Sequence, residues 1–313
     1  MNINQSLTNN MKTLQQHINE KLVLNSNSKV RKQEYNYHPR NGNELKELVE
    51  RLINERGDEA DLNDINVSEI KSMRQLFINC NNFNGDISKW DVSSVKDMCG
   101  MFTYSDKFNG DISKWNVSNV KDMSKMFYKS KFNGDISGWD VSSVENMEGM
   151  FAYSEFNNDI SEWDVSSVTN MQAMFNSSNF NKDISKWKTH NVSTMKYMFS
   201  WTSFNQPIGK WDVSSVEDFT GMFEYNKVFN QDLSGWELTN ANDLKRMFRN
   251  AQKFNSDISD WNIAYVNDMS EMFAWAQSFD QDLSGWKITN KTNTSNMFDN
   301  CKIKEEHKPK MPE

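Results

Sequence analysis

The residues of this chain that could do chemistry are, first, the aspartates that recur at one position of a repeating sequence. They are Asp86, Asp111, Asp135, Asp159, Asp183, Asp232, Asp257 and Asp282. Regularly spaced carboxylates could hold calcium, but the chain has neither the D-x-[DN]-x-[DN]-G loop of an EF-hand nor the G-G-x-G-x-D-x-U-x nonapeptide. Pro207 replaces this aspartate in one repeat that otherwise keeps its pattern. We therefore expect no metal site. Each Asp, with neighbours such as Asn84, Asn109 and Asn133, is expected to accept backbone N–H groups in a turn.

The other reactive side chains show no catalytic or metal-binding arrangement. The histidines are scattered without ligand spacing, at His17, His38, His190 and His307. Cys80, Cys99 and Cys301 cannot form a disulfide framework, and we expect them to be small buried residues. The chain has no G-x-S-x-G, no P-loop and no dinucleotide fingerprint, and its carboxylates follow the repeat, whereas a catalytic pair should break that symmetry. The sequence therefore predicts a protein that is not an enzyme and uses no cofactor.

One column of the repeat carries aromatic residues that could bind a partner. They are Tyr104, Tyr153, Trp201, Tyr225 and Trp275. The same column holds Lys129, Asn250 and Asn300 in other repeats, which indicates an exposed position. Exposed aromatic residues in a row are typical of a contact surface for a protein or a glycan. The alternative is that these rings shield the seam between neighbouring repeats.

These columns exist because the chain is a tandem repeat. Tryptophans follow one another at steps of 24 or 25 residues: Trp90, Trp115, Trp139, Trp163, Trp187, Trp211, Trp236, Trp261 and Trp286. The repeat reads F-N-x-D-I-S-x-W-D-V-S-S-V-x-D-M-x-x-M-F, and a degenerate tenth copy precedes Trp90. A fixed period of roughly 20–50 residues is typical of stacked repeat proteins. One repeat cannot bury its own Phe, Ile, Trp, Val and Met side chains, so it must pack between neighbours, with the tryptophans in one buried row.

Short local elements are expected inside each repeat. The W-D-V and V-x-D-M segments indicate short extended pieces with turns between them. In M-x-x-M-F, the i, i+3, i+4 spacing of Met98, Met101 and Phe102 predicts a one-turn helix, for which a residue such as Asp97 would be the N-cap. Strand-like stacking at about 4.8 Å predicts an array roughly 45–50 Å long for ten repeats.

The consensus resembles the BspA-like leucine-rich-repeat surface proteins of bacteria, in the branch with W-D-V-S-x-V-x-D-M-x-x-M-F repeats seen in mycoplasma-type surface lipoproteins. The resemblance covers residues 61–301. It implies an α/β repeat fold, a right-handed leucine-rich-repeat-like solenoid with short strands and one-turn helices. It also implies a role in protein or host-surface binding. The family has no shared catalytic residues that could be assigned to this chain.

The ends of the chain differ from the repeats. Residues 1–34 are rich in Asn, Gln and Ser and are expected to be a flexible segment. Residues 35–60 form a capping region, in which 43–56 have the periodicity of an amphipathic helix, with Asn43 as a possible N-cap and Gly57 as the stop. The apolar face of this helix consists of Leu45, Leu48, Val49, Leu52 and Ile53. The repeat domain then occupies 61–303, and a charged tail occupies 304–313.

Charge and hydropathy exclude several kinds of partner. The net charge is −8 with no basic stripe, which argues against nucleic acid. The longest apolar run near the N-terminus is Leu22–Leu24, too short for a signal peptide or a membrane span, so we expect no membrane insertion. The resemblance suggests the cell surface, whereas the missing leader suggests the cytoplasm or a sequence without its leader. The sequence therefore predicts a non-enzymatic protein-binding module of adhesin type or, alternatively, an intracellular scaffold or effector-like recognition protein.

Overall fold

The structure, a computed structural model, describes residues 34–311. The described residues from Asn36 onward form one compact unit. The predicted flexible segment 1–34 lies outside the described residues, apart from Glu34. The unit from Asn36 onward contains helix α1 (Gly42–Arg56), the stacked repeats and a short 3-10 helix, Glu305–His307.

Helix α1 spans Gly42–Arg56 and packs its apolar face against the first repeats. Its N-cap is Asn41, whose side-chain oxygen accepts a hydrogen bond from the Glu44 N–H at 3.0 Å, and Gly57 ends the helix at a φ of 91°. The predicted N-cap, Asn43, is wrong by two residues, because it is Asn41 that has the extended backbone from which a side chain reaches the first turn. The side chains that α1 buries are Leu45, Val49, Leu52 and Ile53, with Leu48 partly buried.

Ten repeats stack side by side, as predicted. Isolated parallel bridges join one position in successive repeats: Ser72, Asp97, Asp122, Asn146, Asn170, Thr194, Asp218, Asp243, Asp268 and Asn293. Beyond this position, the N–H groups of alternate residues donate to the next repeat. Gly100 donates to the carbonyl of Ser124 and Phe102 to that of Met126, both at 2.8 Å. Each repeat is therefore held to its neighbour by its backbone as well as by its core.

The described repeats contain neither the predicted short strands nor the predicted one-turn helices. Met101 N–H does donate to the Met98 carbonyl at 3.1 Å, but Gly100 between them has a φ of 63°. A left-handed residue at the third position makes a type II-like turn and stops a helix. Asp97 accepts the Cys99 N–H at 2.9 Å, so it closes an Asx turn and is not a helix N-cap. A turn forms here instead of a helix because it directs the Gly100 N–H towards the Ser124 carbonyl of the next repeat.

The core is a set of side-chain columns that run through the whole stack. All nine repeat tryptophans are buried, at most 4% exposed, which confirms the predicted row. Each indole N–H donates to a carbonyl of the preceding repeat, as Trp139 does to Ile112 at 3.0 Å. Phenylalanine rings stack beside them: the Phe127 centroid lies 4.4 Å from Phe132 and 5.7 Å from Phe151. Because the rings of one repeat pack against those of its neighbours, no repeat is complete alone.

Two polar columns order the turns on the outside of this core. In the aspartate column, Asp86 accepts the Ser88 N–H at 2.9 Å, and the seven other members make the same bond, which confirms the predicted turn role. The asparagines act differently from the prediction. Asn109 accepts the N–H of Asn133 at 2.9 Å, one repeat further on, and this ladder continues from Asn84 to Asp280.

The stack is expected to lose stability in acid through the aspartate column. Hydrogen bonds from the serine two residues later, through its backbone N–H and its hydroxyl, lower the pKa of all eight carboxyls below the ordinary 3.8. A lowered folded-state pKa contributes stability above the ordinary pKa, and that stability is lost as the pH falls below about 4 towards the folded values. Thermal melts should therefore show a flat Tm near neutral pH and a falling Tm in acid.

A matched variant separates this column from the other carboxylates. Asp135→Asn with Asp159→Asn keeps an acceptor oxygen at each turn but removes two titrating groups. Its Tm should fall less steeply in acid than that of the parent chain. Parallel acid profiles for the two proteins would show that the column does not carry the effect.

The described part of the predicted charged tail, 304–311, packs back on the last repeats. Pro309 is buried, and the His307 carbonyl accepts the Leu283 N–H at 2.8 Å. Hydrogen bonds from the Lys304 backbone N–H, and from its side chain and that of His307, lower the pKa of Asp280 to about 2. The start of the tail is thus part of the folded structure and covers the C-terminal end.

Candidate functional site

The aromatic column predicted from the sequence lies on an exposed surface of the stack. Tyr104, Tyr153, Trp201 and Trp275 are 44%, 51%, 57% and 49% exposed, whereas Tyr225 is half-buried. Two further tyrosines lie beside this column. We call the combined surface the aromatic face and define it as Tyr104, Tyr128, Tyr153, Tyr197, Trp201, Tyr225 and Trp275.

The backbone of the repeat fixes the aromatic column in place. All five residues of the column have positive φ, between 58° and 64°. This left-handed conformation is uncommon for bulky residues and persists only where the surroundings impose it. Here the inter-repeat hydrogen bonds impose it, since the Trp201 N–H donates to the Glu224 carbonyl at 2.8 Å and the others bond in the same way. The rings are therefore presented to solvent from a rigid backbone.

At its N-terminal end the aromatic face is a cluster of three tyrosines around a lysine. The ring of Tyr128 meets Tyr104 edge-on at 5.8 Å and Tyr153 edge-on at 5.5 Å. The Lys129 ammonium lies 5.3, 5.6 and 5.5 Å from the centroids of Tyr104, Tyr128 and Tyr153. These distances are within cation–π range, so the lysine orders the three rings.

Near its other end the aromatic face combines ring stacking with ion pairs. Trp201 stacks on Tyr225 with centroids 4.0 Å apart, so one face of the indole covers the seam between repeats while much of the side chain stays exposed. Glu224, only 7% exposed, pairs with Arg249 at 2.8 Å. The guanidinium of Arg249 also lies 5.4 Å from the Tyr225 ring. The Trp201–Tyr225 pair thus shows both predicted alternatives. The stacked rings shield the seam between two repeats, and the exposed part of Trp201 is free to contact a partner.

A groove of about 340 Å³ crosses the middle of the aromatic face. Its lining includes Tyr153 on one side and Trp201 on the other, two repeats apart. The small Ala173 lines it from the repeat between them, and Gly149 and Ala152, in the repeat of Tyr153, are small as well. The groove exists because one repeat with short side chains lies between repeats with large aromatic ones.

Sequence reasoning missed Tyr128 and Tyr197, which also line this groove. Tyr197 occupies the turn position that is glycine in three repeats, and its own φ is 56°. A Cβ added to Gly221 would lie 2.3 Å from the Tyr197 ring, so that glycine leaves space for the ring to lie on the next repeat. The signal for Tyr197 in the sequence was that Gly221 follows it in the same column of the next repeat.

The described residues 34–311 contain no group of three or more His, Cys, Asp or Glu side chains placed to hold a metal ion. The cysteines are free and partly buried, so the prediction that they are buried holds only in part. Burial raises the pKa of the Cys80 thiol to about 11 and raises that of Cys301 as well. Within the described chain, no helix has the length and apolar composition needed to cross a bilayer.

We expect EDTA to change the melting temperature by no more than the experimental error, because the carboxylates of the aspartate column already accept backbone N–H groups. The measurement is a pair of thermal melts with and without chelator, followed by addition of calcium. A large drop with EDTA that calcium reverses would show that the column binds metal.

These features define a tandem-repeat protein, in which each repeat is completed by its neighbours and one face carries exposed aromatic residues. The chain belongs to the DUF285 family, described as "Mycoplasma protein of unknown function". The family model matches four overlapping segments, residues 44–159, 128–235, 150–258 and 200–309. Overlapping matches of this kind are what a chain of similar repeats produces. No curated protein and no solved structure matches the chain.

Proposed function

We propose that this protein is a non-enzymatic binding module, of the BspA-like bacterial surface type, that holds a protein or a glycan on its aromatic face. The observation that carries the proposal is the exposure of four large aromatic side chains, 44–57%, on a backbone fixed by inter-repeat hydrogen bonds. Tyr and Trp offer large contact area at low cost in rotamer entropy, and they dominate the energetics of many interfaces. A rigid array of such residues favours recognition over catalysis.

The same proposal includes the fold type and the location. We infer that the stack is a right-handed leucine-rich-repeat-like solenoid, a geometry supported by parallel bridges at a constant position of each repeat. A crystal structure tests its hand. Fractionation of the native cells, with an antibody to the protein, tests exposure at the cell surface. Recovery in the cytosolic fraction alone would favour the intracellular scaffold instead.

The binding role is tested by removing two rings of the aromatic face together. Trp201→Ala with Trp275→Ala should weaken binding of the fluorescently labelled protein to cultured animal cells by about tenfold or more, since interface aromatics commonly contribute about 2 kcal/mol each. Tyr265→Ala is the matched control, because Tyr265 is 67% exposed but lies outside the aromatic face. The control should bind like the parent chain.

A thermal melt of the same double variant distinguishes binding from a purely structural role. If the rings only shield the seam, the double variant should be clearly destabilised, and any loss of binding should follow its unfolding. Equal binding by the double variant and the parent chain at a temperature where both are folded would contradict the proposed function.

A further inference from the structure

The groove between Tyr153 and Trp201 has the dimensions of a small-ligand site. Successive repeats lie about 4.8 Å apart, so its two aromatic sides, two repeats apart, are separated by roughly 10 Å. Its volume, about 340 Å³, falls in the range of small-molecule pockets, roughly 300–1,000 Å³. Tyr225 covers one face of the Trp201 indole, and Trp201 remains 57% exposed. A ligand in the groove can therefore lie against the exposed surface of the indole.

Four backbone groups of the repeat beneath the groove already bond to neighbouring repeats and are not available to a peptide strand. The N–H groups of Ala173 and Ser177 donate to the following repeat at 2.7 and 2.8 Å. The carbonyls of Gln172 and Asn176 accept from the preceding repeat at 2.8 and 2.7 Å. A peptide laid here could not pair with this backbone, and its own N–H and C=O groups would need other partners. A ligand without a peptide backbone avoids that cost.

The charged groups of the groove neutralise one another. The Lys125 ammonium pairs with Glu148 at 2.9 Å, and Glu224 pairs with Arg249 at 2.8 Å. Each charged side chain that lines the groove is therefore already paired with an opposite charge, which leaves none of them free for an ionic ligand. Carboxylate oxygens and the amide of Asn176 remain as hydrogen-bonding groups around the aromatic rings.

We propose that this groove binds a neutral pyranose unit of an oligosaccharide, an inference that rests on the proposed function and names its ligand. A pyranose presents an apolar C–H face, which would stack on Trp201. Its hydroxyl edge would bond to Glu148 and Asn176. Aromatic rings beside a few polar groups are the usual composition of such sites. The self-paired charges favour neutral sugars over acidic ones.

The test titrates the full chain with neutral oligosaccharides (lactose, maltotriose and chitotriose), with sialyllactose as the acidic comparison. Ligand-observed NMR and tryptophan fluorescence report binding. We expect at least one neutral sugar to bind, and Trp201→Ala to weaken it by about tenfold or more. Tyr265→Ala is the matched control, since Tyr265 is 67% exposed, lies outside the aromatic face and does not line the groove. Its affinity should change by less than about twofold. Thermal melts confirm that both variants are folded.

Absence of binding by every sugar, binding by sialyllactose alone, or equal losses in the two variants would each overturn the sugar site. A cell-binding assay distinguishes failure of the sugar site from failure of the proposed function. If Trp201→Ala lowers binding to cells whose glycans have been oxidised with periodate, and no sugar binds, the groove takes a protein and only the present inference fails. If Trp201→Ala combined with Trp275→Ala also leaves cell binding unchanged, the proposed function fails as well.

Discussion

Deleting residues 1–57 is expected to make the remaining chain aggregate or unfold at much lower urea, because α1 would no longer cover the first repeat. Four side chains of α1 are buried, Leu45, Val49, Leu52 and Ile53. At about 1.5–3 kcal/mol for each buried side chain, the loss is roughly 6–12 kcal/mol as an upper limit. The deletion also exposes apolar groups of the first repeat, such as Leu76 and Phe77, which are at most 1% exposed in the intact fold. Size-exclusion chromatography and urea unfolding measure both effects.

A pair of point variants in the full chain tests the same helix without truncation. Leu52→Asn places a polar group at a fully buried position, whereas Glu47→Asn changes an exposed residue of the same helix. The first should lower stability by several kcal/mol and the second by less than about 0.5 kcal/mol. Deleting residues 1–34, which leaves α1 and the Tyr37–Ile65 bridge in place, should have little effect. A monomeric 1–57 deletion with an unchanged urea midpoint would disprove the capping role.

The second large effect is expected from a buried tryptophan of the core. Trp187 is 3% exposed, stacks on Trp211 at 6.3 Å and donates its indole N–H to the Ile160 carbonyl at 3.1 Å. Trp187→Ala should cost about 3–5 kcal/mol, because it leaves a cavity and also an unpaired carbonyl. Since a repeat is stabilised through its neighbours, the loss should extend to the adjoining repeats.

Trp201→Ala is the control for this experiment, because it removes the same side chain from an exposed position of the same repeat. It should cost about 1 kcal/mol, chiefly the stacking on Tyr225. Urea unfolding followed by circular dichroism measures both variants, and hydrogen exchange locates the loosened repeats. Equal destabilisation by the two changes would mean that Trp201 is a seam residue and would weaken its proposed role in binding.

The sequence predicts those features of the site that depend on a single position of the repeat, and it does not predict those that depend on contacts between repeats. The exposure of Trp201 followed from its column, since a position that accepts Lys and Asn in other repeats does not face a core. The groove did not follow, because it depends on three repeats at once: aromatic rings in two and the small Ala173 in the one between them. The half-burial of Tyr225 likewise depends on Trp201 and Arg249, which lie 24 residues away on either side.

The sequence alone determined the number of repeats, the buried columns, the capping helix and the turn role of the aspartates. These features can be predicted because they depend on local spacing. Apolar residues that recur at a fixed spacing are buried together, and an aspartate side chain bonds to the backbone two residues later. Only the tertiary structure decided that M-x-x-M-F turns instead of forming a helix, and that Asn109 bonds to Asn133 in the next repeat. The physical reason is common to both. A left-handed residue other than glycine at this turn position, such as Lys125, and an outward-facing asparagine are stabilised by a hydrogen-bond partner in a neighbouring repeat, and that neighbour is placed by the stack as a whole.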